Sequence, residues 1–548
     1  MQRRLLPLLL VLAVLFGAFL VRVPQLVGYF TGQQGFIMAV DEARELIRNR
    51  YVEPVDDEKL LTGAISGMAE SLKDPYTSYI PPSKMTDFSK DLLGQFVGIG
   101  ATVRKSGPHV LIATPLPASP ALRAGLQPGD RVASIDGASL ADLTIDQCIE
   151  KLKGVPGTDV RLSILRGGSE ADAFASAEKL EITLQRAELS VSPVRGFRWL
   201  AASNKWDHLI DPAARIAYIR IEQFSGSAST DFAAALEDLR RLLDPSGNDP
   251  AWLRGIILDL RDNPGGLLDD AIKLCDMLMD SGVIVSTRSR VDAEASKKVG
   301  RRGESVSATS GQLAPKAELV VLVNGRSASA SEVVSGALSE QTPPRATLIG
   351  TRSFGKGLVQ ATEPMTTGGI LKLTEQFYFL PSGRLIQRKD DSVTWGVDPA
   401  PGFFVPMTDE QEVALLRARD VLEAVWPAAA SRPPLPPEQE ALISEARLSD
   451  PEWIRTKLQD LQLAAAVAAL QGKVATGTLT LPPGGDASPL ATTKRVQAAE
   501  RAALERSRER LNRELDRVEQ RLLTLDGAAP ADATGTTPPA PDSPAAPK

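Results

Sequence analysis

Histidine is nearly absent. The 548 residues contain two, His109 and His208, one among short β-runs and the other beside Trp206 and Asp207 in a polar stretch, so a Ser-His-Asp triad has little to draw on. Cysteine is as scarce: Cys148 and Cys275 are the whole supply. They lie in separate helix-like segments with no CxxC or Cys/His grouping, which argues against a metal centre and predicts two buried free thiols instead of a disulfide. Positive charge is not in excess, with 62 Lys and Arg against 68 Asp and Glu and a net charge of −6. Without a basic stripe to neutralise phosphates, nucleic acid is excluded as a main partner, and protein or peptide substrates fit better. The N-terminus lacks the small-x-small exit of a cleaved signal. There Arg3 and Arg4 precede the apolar run Leu5 to Val21, slightly short of the ~20 residues of a full span. Charge before the run places the start in the cytoplasm and the rest outside. The expectation is a retained, single-pass signal anchor over residues 1–30 in the cytoplasmic (inner) membrane, with the remaining chain in the periplasm or extracytoplasmic space.

Apolar residues at 43% and charged residues at 24% are near globular averages, and the length exceeds what one core can hold. The chain reads as an α/β multidomain protein. Residues 31–95 read as a helical arm, with turns at Tyr51-Val-Glu-Pro and Asp74-Pro-Tyr-Thr. Residues 96–187 switch to short β-runs separated by Gly/Pro turns, with a helix around Ile145 to Lys153. Over 188–406 strands such as Ile216–Ile221, Gly255–Leu260 and Leu319–Val323 alternate with helices, implying crossovers and a partly parallel sheet. Residues 407–493 read as a helical extension with Pro-rich linkers, opened by a Thr408/Gln411 capping box. Over 494–526, Leu504, Leu511, Val518 and Leu525 share one heptad position and Leu515 and Leu522 the other, predicting a short coiled coil that joins copies of the chain or a helical partner. The tail 527–548 is rich in Pro, Ala and Thr and is expected to be disordered.

If a serine is activated here, a base other than histidine must do it, and a neutral lysine can. The strand ending at Val323 runs into Asn324-Gly-Arg-Ser-Ala-Ser-Ala-Ser-Glu, a strand–turn–helix joint whose free amides and helix dipole favour a developing oxyanion. Ser327, Ser329 and Ser331 compete for the role, and Ser329-Ala-Ser-Glu332 also spells a plain capping box. The residues alone leave that choice open. Lys356 sits between Gly355 and Gly357, a tight pass that an exposed lysine would not need. Gln360 shares its strand face by period two, but ideal extension separates their Cα atoms by roughly 13 Å, so contact requires a bend at Gly357.

The stretch Ser119-Pro-Ala-Leu-Arg-Ala-Gly-Leu-Gln-Pro-Gly-Asp-Arg-Val-Ala-Ser-Ile-Asp-Gly resembles a PDZ domain. The resemblance implies that a peptide tail adds as a strand beside Ile99 to Val103, its carboxylate held by amides around Gly98, Ile99 and Gly100. Further, "LDLRDNPGG", "NGRSASASEVVSGAL", "RSFGKGLVQ" and "GGILKLTEQFYFLPSGRLIQ" resemble the carboxyl-terminal processing (tail-specific) proteases, from about Asp41 to Pro399. This likeness implies a PDZ domain inserted before a crotonase/Clp-protease-like βα peptidase core. It also implies Ser329 as nucleophile, Lys356 as base, Gln360 as its orienter, and an oxyanion hole of the Ala330 and Gly266 amides, with Gly266 preferred to Gly265. No cofactor or metal is required by such a mechanism. Asp259 and Arg261 read as an ion pair bracing the Asn-Pro-Gly-Gly loop. The loop Ser339-Glu-Gln-Thr-Pro-Pro-Arg is longer than usual in the family, Glu340 stands where some relatives carry aspartate, and residues after Pro406 match nothing. A catalytically silent membrane-anchored PDZ scaffold and a non-peptidase acyl-transfer enzyme are the alternatives.

Overall fold

The computed structural model describes residues 35–168, 174–200, 202–289, 304–309, 311–314, 316–426, 437–444 and 447–525. The anchor expected over 1–30 and the tail over 527–548 lie outside these residues, and no helix among the described ones is long and apolar enough to cross a membrane. The chain forms two units, one of residues up to Phe88 with Val359–Glu375, the other of Ser89–Leu358 with Gln376 onward.

In the smaller unit a helix over 35–50 is followed by Asp57–Glu70, whose start is capped by the Asp56 carboxylate accepting the Glu58 N–H at 2.9 Å. The Asp74 turn is present as read: its carboxylate accepts the Tyr76 N–H and the Thr77 hydroxyl at 3.0 and 2.6 Å. After it the chain departs from the all-helical reading, because Ser78–Ile80 pairs antiparallel with Ile370–Lys372.

The larger unit opens with the β-rich module. Strands β1 (Gln95–Gly98), β2 (Ala101–Ser106), β3 (His109–Pro115) and β4 (Arg131–Ile135) precede helix α1 (Ile145–Leu152). β5 (Asp159–Arg166), β6 (Glu178–Gln185) and β7 (Ala187–Ser190) complete it. The sheet order β2-β3-β4-β5-β6 leaves β2 at one edge, while β1 pairs separately with β7. Ile112, Val132, Leu162, Ile164 and Cys148 are buried in its core. Both cysteines are free and buried, as their spacing predicted.

The next part is a sheet of order β8-β9-β10-β11-β12, formed by Val194–Arg195, Ile216–Ile221, Gly255–Asp259, Glu318–Val323 and Ala346–Gly350. β9 to β12 run parallel. Their sequences are near-continuous apolar runs without alternation because both faces are covered. Helices α2 (Ala228–Leu243), α3 (Leu268–Leu278) and α4 (Ala330–Ser339) follow β9, β10 and β11 as crossovers.

The division at residue 406 into a peptidase-like core and an appended extension needs correcting. Helix α5 (Asp409–Leu422) carries the expected capping box, and α6 (Leu461–Thr476) packs on β10, β11 and β12. Ala466, Val467 and Leu470 of α6 are fully buried with Ile257, Val320, Leu322 and Ile349 of the sheet. At roughly 1.5–3 kcal/mol for each large apolar side chain buried, α6 is part of the core. Helix α7 (Pro489–Leu525) begins earlier than the heptad suggested. Its root is docked, with Val496 buried and Thr492 Oγ1 accepting the Gly402 N–H at 3.0 Å. The heptad residues Leu504, Leu511, Leu515, Val518 and Leu522 are each more than half exposed, so within one chain this stretch is a single helix and not a coiled coil.

The Asp259–Arg261 ion pair is present and larger than expected. Arg261 Nη2 lies 2.6 Å from Asp259 Oδ2, and its Nη1 and Nη2 bond Asp460 Oδ1 and Oδ2, at the head of α6, at 2.7 and 2.9 Å. Tyr218 and Arg419 also donate to Asp259, at 2.7 and 3.1 Å. Burial alone would raise the Asp259 carboxyl, but the two guanidinium groups override it and hold it well below the usual carboxylate range. Two carboxylates and two guanidinium groups balance, which lets the cluster be buried. Removing one member leaves an unpaired buried charge, so Asp460→Ala is expected to lower the unfolding free energy by about 3–5 kcal/mol in urea denaturation. A change under about 1 kcal/mol would show the network to be marginal.

Candidate active site

At the end of β11 the chain turns through Asn324–Ala328 into α4. Two of the three competing serines are committed to holding that turn. Ser327 Oγ donates to the Leu260 carbonyl at 2.7 Å and accepts the Asn324 N–H at 3.0 Å, and Ser331 Oγ donates to the Asn263 carbonyl at 3.0 Å. Both serines are fully buried. Ser329 stands at the apex with φ 56° and ψ −115°, a conformation that costs a non-glycine residue about 1–3 kcal/mol.

The Asn-Pro-Gly-Gly loop lies against this apex, since a β-carbon built on Gly265 would come 2.8 Å from Ser329 Cβ and 2.9 Å from the Ala330 nitrogen. Gly265 spends its N–H on Asn263 Oδ1 at 2.8 Å. Neither the Gly266 nor the Ala330 N–H donates to any of the described residues, which favours Gly266 over Gly265 as an anion-binding donor. Gly266 has φ 142°, and a β-carbon there would lie 2.1 Å from the Phe224 carbonyl oxygen, so only glycine fits. Asn263, to which the sequence reading gave no role, ties the two loops together. Its Nδ2 donates to Ile221, and its carbonyl accepts the Ala328 N–H and the Ser331 hydroxyl.

Glu332 joins the serine turn to the lysine loop. Fully buried, its Oε2 accepts the Ser329 N–H at 2.9 Å and the Lys356 N–H at 2.8 Å, while Oε1 accepts the Ser353 hydroxyl and the Gly355 N–H at 2.5 and 2.6 Å. Burial raises its carboxyl, and these four donors pull against that rise. The backbone nitrogens of Ser329 and Lys356 therefore converge on one oxygen atom. The sequence showed Glu332 only as half of a capping box, a signal that hid its wider reach.

Lys356 is half-buried and precedes the strand Leu358–Pro364, so the period-two argument linking it to Gln360 does not apply. The flanking glycines are needed: Gly355 has φ 92°, and a β-carbon there would lie 2.5 Å from Trp395 Cδ1. Gln360 belongs to the smaller unit, where its amide donates to Thr374 Oγ1 at 3.4 Å. Tyr378 was not picked out from the sequence. It is buried, its N–H donates to the Gly357 carbonyl at 2.8 Å, and burial pushes its phenol up to about 12. Neither histidine joins these residues. His208 is bonded to the Tyr218 carbonyl and His109 packs edge-on against Phe174.

In the β-rich module Gly98 closes β1, and Ile99 and Gly100 cross to β2. The Ile99 and Gly100 carbonyls accept from Ala121 and Leu116 at 2.8 and 2.9 Å, and neither of their N–H groups donates to a described residue. The free edge of β2 runs on from this crossing, an arrangement suited to an added strand ending in a carboxylate.

Three family models match parts of the chain. Residues 215–400 match Peptidase family S41, residues 86–165 the PDZ domain, and residues 31–83 the N-terminal domain of the activating protease CtpB. A carboxy-terminal-processing protease of Bartonella bacilliformis is 35% identical over 343 residues, covering 63% of this chain and 70% of that protein. A probable CtpA-like serine protease of Staphylococcus aureus is 31% identical over 357 residues, covering 65% of this chain and 64% of that protein. Among solved structures, a photosystem II D1 C-terminal processing protease is 26% identical at a TM-score of 0.36, covering 67% of this chain and 86% of that one.

The strain at Ser329 has a measurable consequence. Ser329→Gly is expected to unfold about 1–2 kcal/mol less readily than Ser329→Ala, because only glycine relaxes the positive φ. Equal unfolding free energies in parallel denaturant titrations would mean that the turn is not strained.

Proposed function

Since the chain belongs to the carboxy-terminal-processing proteases, serine peptidases of family S41 with a PDZ domain, we propose that Ser329 is its nucleophile and Lys356 its base. The carrying observation is the Ser329 apex, with the Ala330 and Gly266 amides, which donate to no described residue, and a backbone bridge through Glu332 to Lys356. In the reaction, neutral Lys356 takes the Ser329 proton as Oγ attacks the scissile carbonyl, and the Ala330 and Gly266 amides receive the oxyanion. Protonated Lys356 then supplies the leaving amine, and water releases the acyl group by the reverse proton path. Gln360 orients the lysine.

The substrates we propose are exported proteins, held by their C-terminal tails along β2 with the carboxylate at Gly98, Ile99 and Gly100. Residues 1–30 keep the enzyme on the outer side of the cytoplasmic membrane, and the exposed seam of α7 joins it to further copies or a helical partner. Mass spectrometry of tagged extracytoplasmic proteins exposed to wild type and to Ser329→Ala tests the substrate class. Fragments that arise equally with both would remove it.

The base is tested by pH. Cleavage by wild type is expected to rise with pH through a single ionisation well below the ~10.4 of free lysine. Lys356→Arg is expected to be inactive, since guanidinium keeps its proton, and Gln360→Ala to be about 10–1000-fold slower. A joint His109→Ala and His208→Ala variant should keep the wild-type profile. Loss of the ionisation in that variant, or substantial cleavage by Lys356→Arg, would end the lysine mechanism.

A further inference from the structure

Given Lys356 as the base, on which the reading rests, we propose that Trp395 is a positioning residue for its loop, held by two guanidinium groups that α7 braces through Glu500. The indole is buried. Arg352 Cζ lies 4.5 Å and Arg388 Cζ 4.4 Å from the centre of its ring. Its edge meets the lysine loop, since a β-carbon built on Gly355 would come 2.5 Å from Trp395 Cδ1 and 2.9 Å from Arg388 Cβ. The Gly355 carbonyl accepts the Arg388 N–H at 2.8 Å, and the Gly355 N–H is one of the four donors to Glu332. The residue before Lys356 is therefore fixed by Glu332 through its N–H, by Arg388 through its carbonyl, and by the indole at its open face. Just beyond the indole, Val397 grips the same loop: its carbonyl accepts the Ser353 N–H at 3.0 Å and its N–H donates to Ser353 Oγ at 2.7 Å.

Each guanidinium is attracted by the face of the indole, but the two cations repel one another and need carboxylates to stay together. Asp398 serves Arg352, accepting from its Nε and Nη2 at 2.7 and 3.0 Å. Glu500 serves both cations, lying 3.9 Å from Arg352 Nη1 and 3.7 Å from Arg388 Nη2. Arg352 Nη1 is buried and makes no hydrogen bond among the described residues, so the charge of Glu500 is what it faces from α7. Two carboxylates then balance two cations around one ring. Glu500 lies outside the residues that match the peptidase family, 215–400, yet it stands only a carboxylate, a guanidinium and an indole away from the lysine loop. A base acts only if its amine is aimed at the proton that it removes, so loosening the loop slows proton transfer without removing the base. The root of α7 thus belongs to the support of the catalytic centre.

The test is the time course of labelling of the full chain by a fluorophosphonate probe, in which the amplitude counts folded molecules and the rate constant reports how well the base acts. Trp395→Leu is expected to lower the rate constant about 10–100-fold, the scale of lost orientation. Trp395→Phe keeps a ring for both guanidinium groups and is expected to stay within about threefold of wild type. A residue that merely packs would lower the amplitude and leave the rate constant alone. Glu500→Ala is expected to be about 2–5-fold slower, as suits an ion pair partly open to water, and a wild-type rate constant there would overturn the part given to α7. With Lys356→Arg unlabelled, a wild-type rate constant in Trp395→Leu, or equal slowing by Leu and Phe, would overturn the role of Trp395 and leave the lysine base standing. Labelling of Lys356→Arg at the wild-type rate would overturn the base assignment and the role of Trp395 with it. Should Trp395→Leu fold poorly, Arg388→Met replaces it, because the Arg388 side chain is half exposed: about 3–10-fold slowing is expected, and a wild-type rate constant would overturn the proposal.

Discussion

A carboxylate with no access to water organises the catalytic centre. Glu332 would be costly to bury alone, and its cost is met by four donors drawn from two separate segments, the serine turn and the lysine loop. Each segment needs Glu332 because its own backbone amides would otherwise be unpaired in the interior. The carboxylate needs both segments, because two donors would leave half of its acceptor sites empty. This mutual dependence ties the serine turn to the lysine loop through a single carboxylate oxygen. The strained backbone at Ser329 is tolerated for the same reason, since its N–H is tied to the centre of the arrangement.

A second buried cluster plays the corresponding part for the Asn-Pro-Gly-Gly loop. Arg261 sits just before the Asn-Pro-Gly-Gly loop and is gripped by Asp259 behind it and Asp460 at the head of α6. Asn263 then transmits that anchoring to the serine turn through its carbonyl, which accepts the Ala328 N–H and the Ser331 hydroxyl, while its side chain holds Gly265. Loop geometry at the site is therefore fixed by charges and amides that never meet substrate. The glycines come last in this order: Gly266 adopts its backbone because Phe224 leaves no room for anything larger.

Much of this was legible in the residues. Apolar runs marked β9 to β11, and the Ser/Gly motifs marked the joint after β11, because strand burial and turn chemistry act locally. That Ser327 and Ser331 are spent on main-chain carbonyls was not legible, since it depends on which carbonyls they find across the fold. Glu332 was visible only through its local half, the capping box, and its bonds to Ser353, Gly355 and Lys356 span more than twenty positions. The role of α6 was misjudged for a related reason: its Ala-rich sequence reads as a helix, but nothing in that composition says that it closes the far face of a sheet formed two hundred residues earlier. The period-two argument linking Lys356 to Gln360 does not hold, because the strand begins at Leu358, and a two-residue period holds only inside a strand.

The position of α6 also bears on how the molecule is made. Ribosomes deliver the chain from its N-terminus, so β9 to β12 and the serine turn emerge long before Leu461–Thr476. Until then the sheet keeps one apolar face open, and Arg261 lacks the Asp460 half of its partners. A nascent chain carrying every catalytic side chain is still an incomplete enzyme. Synthesis itself thus delays the appearance of a competent protease until most of the chain has left the ribosome.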